Sequence, residues 1–75
     1  MNYQQALEQA TSEALDRFRF KEDLGWTGWE TIPEDSAIYH IIENLVEYRN
    51  DGDRLCLVDA INFLVFLYAK NSNHP

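Results

Sequence analysis

The 75-residue sequence has one cysteine, three glycines, two prolines and only six basic residues. A single cysteine excludes an internal disulfide. The polar N-terminal segment MNYQQALEQATSE lacks a secretory signal pattern, so we expect a reducing, cytoplasmic location. The 13 acidic residues give a formal net charge of −7, which disfavours direct binding to nucleic acid or to anionic membranes.

The longest apolar segment, residues 55–69, is shorter than a bilayer span and contains Asp59 and Asn62. It is expected to be a core helix, not a membrane helix. A hydrophobic content of 45% predicts a folded chain. At this length one domain over residues 1–75 buries little core, so the sequence predicts an all-α bundle of three helices completed by dimerisation.

Apolar periodicity predicts helices at about residues 3–20, 32–49 and 53–70. The apolar positions of the second helix are expected to face the core, and they are Ile38, Ile41, Ile42, Leu45 and Val46. Thr31 and Glu34 have capping-box spacing at its start. Gly52 suits the left-handed residue after this helix, and Asp53 can cap the next one. The last residues, NSNHP, are expected to fray, with His74 exposed and not a ligand.

The segment LGWTGWETIPED contains Trp26 and Trp29 and is predicted to be a structured loop. The favoured interpretation is a hydrophobic plug over one end of the core. Stacking of a tryptophan on a nucleobase is the alternative.

Carboxylates are the residues with most potential for chemistry. Glu43 and Glu47 lie opposite the isoleucines on a helical projection, which is typical of a solvated face. Asp59 lies in an otherwise uncharged helix, where a carboxylate needs an ion pair, a hydrogen bond or a metal. Its structural partners could be a tyrosine hydroxyl, a tryptophan N–H or an arginine. Its functional interpretation is a magnesium ligand together with carboxylates of the adjacent helix.

The cationic cluster Arg17, Arg19 and Lys21 lies at the end of the first helix. Cations at that position stabilise the helix dipole. Phosphate binding is the alternative interpretation.

The combination of FRFKEDLGWTGWE, a carboxylate-bearing helix and VDAINFLVFLYA resembles the MazG-like nucleoside triphosphate pyrophosphohydrolases, especially short versions carried by phages. In that family the second helix has a Glu-Glu-x-x-Glu pattern and the third a Glu-x-x-Asp pattern. Here ENLVE matches the first with Glu43, Asn44 and Glu47, and CLVDAINF matches the second with Cys56 and Asp59. The resemblance covers residues 18–69.

The resemblance implies an oligomeric all-α protein that holds Mg²⁺ or Mn²⁺ and hydrolyses nucleoside triphosphates to monophosphate and pyrophosphate. By this resemblance Glu47 and Asp59 are metal ligands, and Glu43 is a ligand or the catalytic base that orients water. It also implies that Asn62 supports a metal ligand or contacts substrate, and that Arg17, Arg19 or Lys21 bind the triphosphate. Two further candidate substrate contacts are Asn44, which can still offer a neutral oxygen, and Trp26, through the alternative of nucleobase stacking. Asn44 and Cys56 replace two family glutamates, and a thiol is a poor magnesium ligand, so the implied activity is reduced or lost.

Two alternatives come from other classes of protein. The charge and small size also suit a non-enzymatic acidic interaction protein, such as a phage-type inhibitor that covers a basic surface of its target. A structural subunit of a larger helical assembly is the third interpretation.

Overall fold

Three α-helices make up almost all of the described chain. The computed structural model describes residues 1–72, and within them the helices are α1 (Tyr3–Asp23), α2 (Glu34–Asp51) and α3 (Arg54–Ser72). A 3₁₀ turn, Trp29–Thr31, lies between α1 and α2. α1 and α2 both pack on α3 and, among the described residues, not on each other. The predicted all-α class is confirmed.

α1 begins at a capping box that the sequence analysis did not identify. Asn2 accepts the backbone N–H of Gln5 at 2.8 Å, and the Gln5 side chain accepts the backbone N–H of Asn2 at 3.0 Å. The helix runs three residues beyond the predicted end at residue 20, so Lys21 is helical. Gly25, at φ 93°, adopts the left-handed conformation after the helix.

α2 begins at Glu34, two residues later than predicted, and the predicted Thr31 capping box is wrong. The Thr31 hydroxyl instead donates to the Gly28 carbonyl at 2.9 Å, inside the 3₁₀ turn. Pro33 precedes the helix in an extended conformation without a side-chain cap. At the other end Gly52 has φ 68° and donates its N–H to Tyr48, as predicted for this glycine.

α3 begins after Asp53, whose carboxylate accepts the Leu55 N–H at 2.9 Å, as the sequence predicts. Asn71 and Ser72 are helical instead of frayed. The last part of the predicted tail, with His74, lies outside the described residues. Within residues 1–72, α3 is the one helix with the length and composition to cross a membrane, a test that core helices also pass.

The core is small and is built mainly from small side chains. Its buried residues are Ala14, Ala37, Cys56, Val58, Ala60 and Phe66. The expectation that α3 is covered on most sides is met in part, because Leu64, Val65 and Tyr68 stay 53%, 52% and 76% exposed.

The orientation of α2 differs from the prediction. Ala37 is fully buried at 0% exposure, and the half-buried neighbours on its side of the helix are His40, Ile41 and Asn44. Four of the five predicted core positions are instead between 44% and 57% exposed, namely Ile38, Ile42, Leu45 and Val46. α2 therefore turns a face of small and polar residues to α3 and leaves most of its apolar stripe uncovered.

Candidate functional site: a carboxylate and cation cluster

Asp59 forms ion pairs with two cationic side chains of α1. Its Oδ1 atom lies 3.2 Å from Arg17 Nε and 3.4 Å from Lys21 Nζ. Arg17 and Lys21 are four residues apart, one helical turn, and so reach the same partner. The side chain of Asp59 is only 17% exposed, and two cations offset the unfavourable desolvation of its charge. The predicted need for a partner is confirmed, and an arginine is one of the partners the sequence analysis named.

Glu47 lies beside Cys56, on the turn of α3 that precedes Asp59. The thiol of Cys56 and Glu47 Oε2 are 3.6 Å apart, within hydrogen-bonding distance for sulfur. Burial raises the pKa of the Cys56 thiol, and the hydrogen bond to Glu47 and the charges of Asp53, Glu47 and Asp59 raise it further. The thiol is therefore protonated at neutral pH and donates to Glu47.

Glu43 faces a different neighbour. Its Oε1 lies 3.8 Å from His40 Nδ1, and it is 48% exposed. The His40 ring stacks on Phe63 with ring centroids 4.9 Å apart, which holds the imidazole against α3. The structure thus places Glu43 with His40, Glu47 with Cys56, and Asp59 with the two α1 cations.

The two predicted asparagine contacts use their amides within the fold. Asn62 donates Nδ2–H to the Ala14 carbonyl at 3.0 Å, which connects α3 to α1. Asn44 donates to the His40 carbonyl, one turn earlier in α2, at 2.9 Å. Their role as substrate contacts stays a prediction.

Trp26 and Trp29 pack against the end of α3. Both indoles stack on Phe66, with ring centroids 5.8 and 4.9 Å away, and Phe18 meets both edge-on. This arrangement matches the interpretation of a hydrophobic plug. The gap between Trp26, Lys21 and Asp59 holds only about 10 Å³, roughly the space for one water. A nucleobase fits there only if the side chains that line the gap move.

The predicted cations do not act as one cluster. Arg17 and Lys21 converge on Asp59, while Arg19 is exposed. Lys21 also lies 5.9 Å from the Trp26 ring, and the Arg17 guanidinium lies 5.4 Å from the Phe20 ring.

Sequence reasoning missed two features. Arg54 and Glu13 form an exposed ion pair at 2.7 Å between α3 and α1. The two residues are 41 positions apart, so no local sequence pattern predicts that they pair. An apolar groove of about 290 Å³ lies between α1 and α3, lined by residues that include Leu15, Ile61 and Val65. Its only sequence signal is the excess of apolar residues around α3.

The donor set for a divalent cation is limited. Within residues 1–72 no group of three His, Cys, Asp or Glu side chains is close enough to hold a metal ion. Glu47 accepts a hydrogen bond from the Cys56 thiol, and Asp59, one turn further along α3, pairs with Arg17 and Lys21. Magnesium is often held by one or two carboxylates when substrate phosphates complete its coordination. Two carboxylates would bind magnesium only together with a ligand that completes its coordination.

The fold is that of a small three-helix all-α protein, in which Asp59 pairs with cations of α1 and Cys56 hydrogen-bonds to Glu47 of α2. No family model matches the chain, and no curated protein or solved structure is significantly similar to it.

Proposed function

We propose that this protein is a MazG-like nucleotide-binding protein in which Glu47, Asp59, Arg17 and Lys21 form the phosphate end of the site. The observation that carries the proposal is the pairing of Asp59 on α3 with Arg17 and Lys21 of α1, one helical turn from Cys56, whose thiol donates to Glu47 of α2. The MazG-like resemblance in the sequence supports the same residues.

In this proposal the two cations of the site bind the phosphate groups of the nucleotide. Arg17 and Lys21 are 24% and 29% exposed, so solvent and anions can still reach them beside Asp59. A triphosphate that approaches from this side competes with Asp59 for both cationic groups. Arginine and lysine side chains are the usual hydrogen-bond donors to phosphate oxygens in proteins.

A magnesium or manganese ion bound with the nucleotide would neutralise phosphate charge and activate water. Glu47 and Asp59 would hold it. Cys56, in a position where the family has glutamate, supplies a proton donor to Glu47 instead of a third negative ligand. Weak metal binding follows, and with it pyrophosphohydrolase activity that is reduced or lost.

The test uses purified protein with a panel of ribo- and deoxyribonucleoside triphosphates and Mg²⁺ or Mn²⁺. Nucleotide binding is followed by calorimetry, and monophosphate and pyrophosphate are measured in parallel. We expect binding that requires the divalent cation and is lost in Glu47→Gln. The matched control is Glu8→Gln on α1, an exposed glutamate away from the cluster. Equal binding by wild type and Glu47→Gln would show that the site assignment is wrong.

The second candidate function is a non-enzymatic acidic interaction protein. Within residues 1–72, Lys and Arg form ion pairs only with Asp59 and Glu13, although the chain has 13 acids. The surplus carboxylates give a surface suited to a basic partner. Such a complex would survive a chelator and weaken as salt rises, whereas the nucleotide complex would be lost with the chelator.

A further inference from the structure

The exposed side of α2 carries a regular apolar stripe. Ile38, Ile42 and Leu45 are 44%, 57% and 47% exposed, and they lie three and four residues apart. The same spacing continues to Asp35 at one end and to Arg49 at the other, both exposed. Alternating steps of three and four are the spacing by which one helix packs along another. The stripe is therefore built for a helix that lies lengthwise on α2.

We propose that this stripe, Asp35, Ile38, Ile42, Leu45 and Arg49, binds the same stripe of a second copy of the chain in antiparallel orientation. Charge distribution selects both the partner and the direction. Related by a two-fold axis through Ile42, Asp35 of one copy lies opposite Arg49 of the other, because both are seven positions from Ile42. In the same register Ile38 lies opposite Val46 and Leu45 lies opposite Tyr39 of the other copy, so the positions between the charged ends all meet apolar residues.

A parallel pair would instead place Asp35 against Asp35 and Arg49 against Arg49. Like charges opposite each other are unfavourable, whereas the antiparallel pair forms two identical ion pairs. Within residues 1–72 neither Asp35 nor Arg49 forms an ion pair in the single chain. The self-complementary pattern is typical of a two-fold interface, and an unrelated partner would not require opposite charges at symmetric ends of the stripe.

Because the core is small, burial of the stripe in a dimer would add to the stability of the folded protein. Within residues 1–72 no large side chain is fully buried in the single chain, and small domains commonly gain stability through oligomerisation. Tyr39 and Val46, at 62% and 50% exposure, flank the stripe and extend its apolar area.

The experiment is sedimentation velocity over about 5 to 200 μM protein, because a dimer of this size dissociates on dilution. We expect wild type to reach twice the 8.8 kDa chain mass. Ile42→Glu places two like charges at the two-fold axis and should weaken association by at least about tenfold. Leu7→Glu on α1, a leucine 49% exposed, is the matched control and should still dimerise.

A charge exchange tests the orientation. Asp35→Arg and Arg49→Asp should each weaken the dimer, and the double variant should regain most of the lost affinity. The two positions are 14 residues apart on one helix, about 21 Å, so recovery requires contact between copies. Helicity of each variant is checked by circular dichroism at the lowest concentration.

Three results would overturn the proposal. One is a wild-type chain that stays monomeric at about 200 μM, which would assign the stripe to a different partner. Another is an Ile42→Glu variant, helical as a monomer, that dimerises as wild type does. The third is a double variant, helical as a monomer, that remains as weak as the single ones.

Discussion

At the scale of single residues, Asp59 forms the least exposed ion pairs between α1 and α3 among residues 1–72. Its carboxylate is the shared acceptor of Arg17 and Lys21 at 3.2 and 3.4 Å. Removal of one member of a partly buried ion pair is unfavourable mainly because it leaves the other charges without compensation. Asp59 therefore has a structural task that does not depend on any metal or nucleotide.

Asp59→Asn is expected to destabilise the protein by about 1.5 to 3 kcal/mol, the usual contribution of hydrogen bonds to charged groups. Urea unfolding in the presence of a chelator measures this loss without a metal contribution. Glu13→Gln is the control, because its pair with Arg54 is far more exposed and should contribute no more than about 1 kcal/mol. Equal losses in the two variants would show that the Asp59 pairs are not special.

Cys56 is the residue that separates this cluster from a three-carboxylate metal site. Cys56→Glu places a third negative charge beside Glu47 and one helical turn from Asp59, so without metal it should lower the melting temperature through like-charge repulsion. Mn²⁺ should then raise the melting temperature of this variant by several degrees, because metal that binds the folded state stabilises it.

Cys56→Gln is the control for this prediction, since a glutamine side chain has nearly the same shape as a glutamate side chain but no charge. Its melting temperature should not respond to Mn²⁺. A Mn²⁺ response of equal size in both variants, or in neither, would contradict the assignment of Cys56 to a metal-ligand position.

At the scale of helices, the sequence predicted where helices end more accurately than which face of a helix packs on its neighbour. Gly52 and Asp53 were predicted correctly, because a left-handed glycine and an aspartate cap depend on local geometry alone. The Thr31 cap was wrong because its hydroxyl is used inside a 3₁₀ turn, and Trp29, the first residue of that turn, packs on Phe66. Local patterns cannot include such a tertiary contact.

The face of α2 could not be obtained from hydrophobic periodicity. Periodicity ranks positions by apolar character, and it selected the isoleucines. The helix packs through Ala37, whose small side chain lets the backbone approach α3. His40 supplies part of the contact by stacking on Phe63. An amphipathic pattern shows that some partner covers the apolar side, but it does not show that the partner belongs to the same chain.

The candidate site was predictable in part for the same reason. The sequence identified Asp59 as a charge in need of partners and identified Arg17 and Lys21 as available cations. It did not show that these residues meet, because that depends on how α1 crosses α3. Glu43 and Glu47 looked equivalent on a helical projection, yet only Glu47 reaches Cys56, while Glu43 lies with His40.

At the scale of the whole molecule, the net charge of −7 opposes the compact state. Only two acids, Asp59 and Glu13, pair with Lys or Arg among residues 1–72. The other acids repel one another across a small surface. Salt screens these exposed charges, with a Debye length that falls from about 30 Å at 0.01 M to about 8 Å at 0.15 M.

We therefore expect the melting temperature to rise by a few degrees, about 1 kcal/mol of stability, when NaCl is raised from about 0.01 to 0.15 M. The measurement is made at about 5 μM protein, so that dimer formation contributes little. Glu22→Lys, which removes two units of negative charge at an exposed position, should reduce the rise. A melting temperature that falls with salt would mean that the Asp59 and Glu13 ion pairs outweigh the repulsion, because screening would then remove more attraction than repulsion.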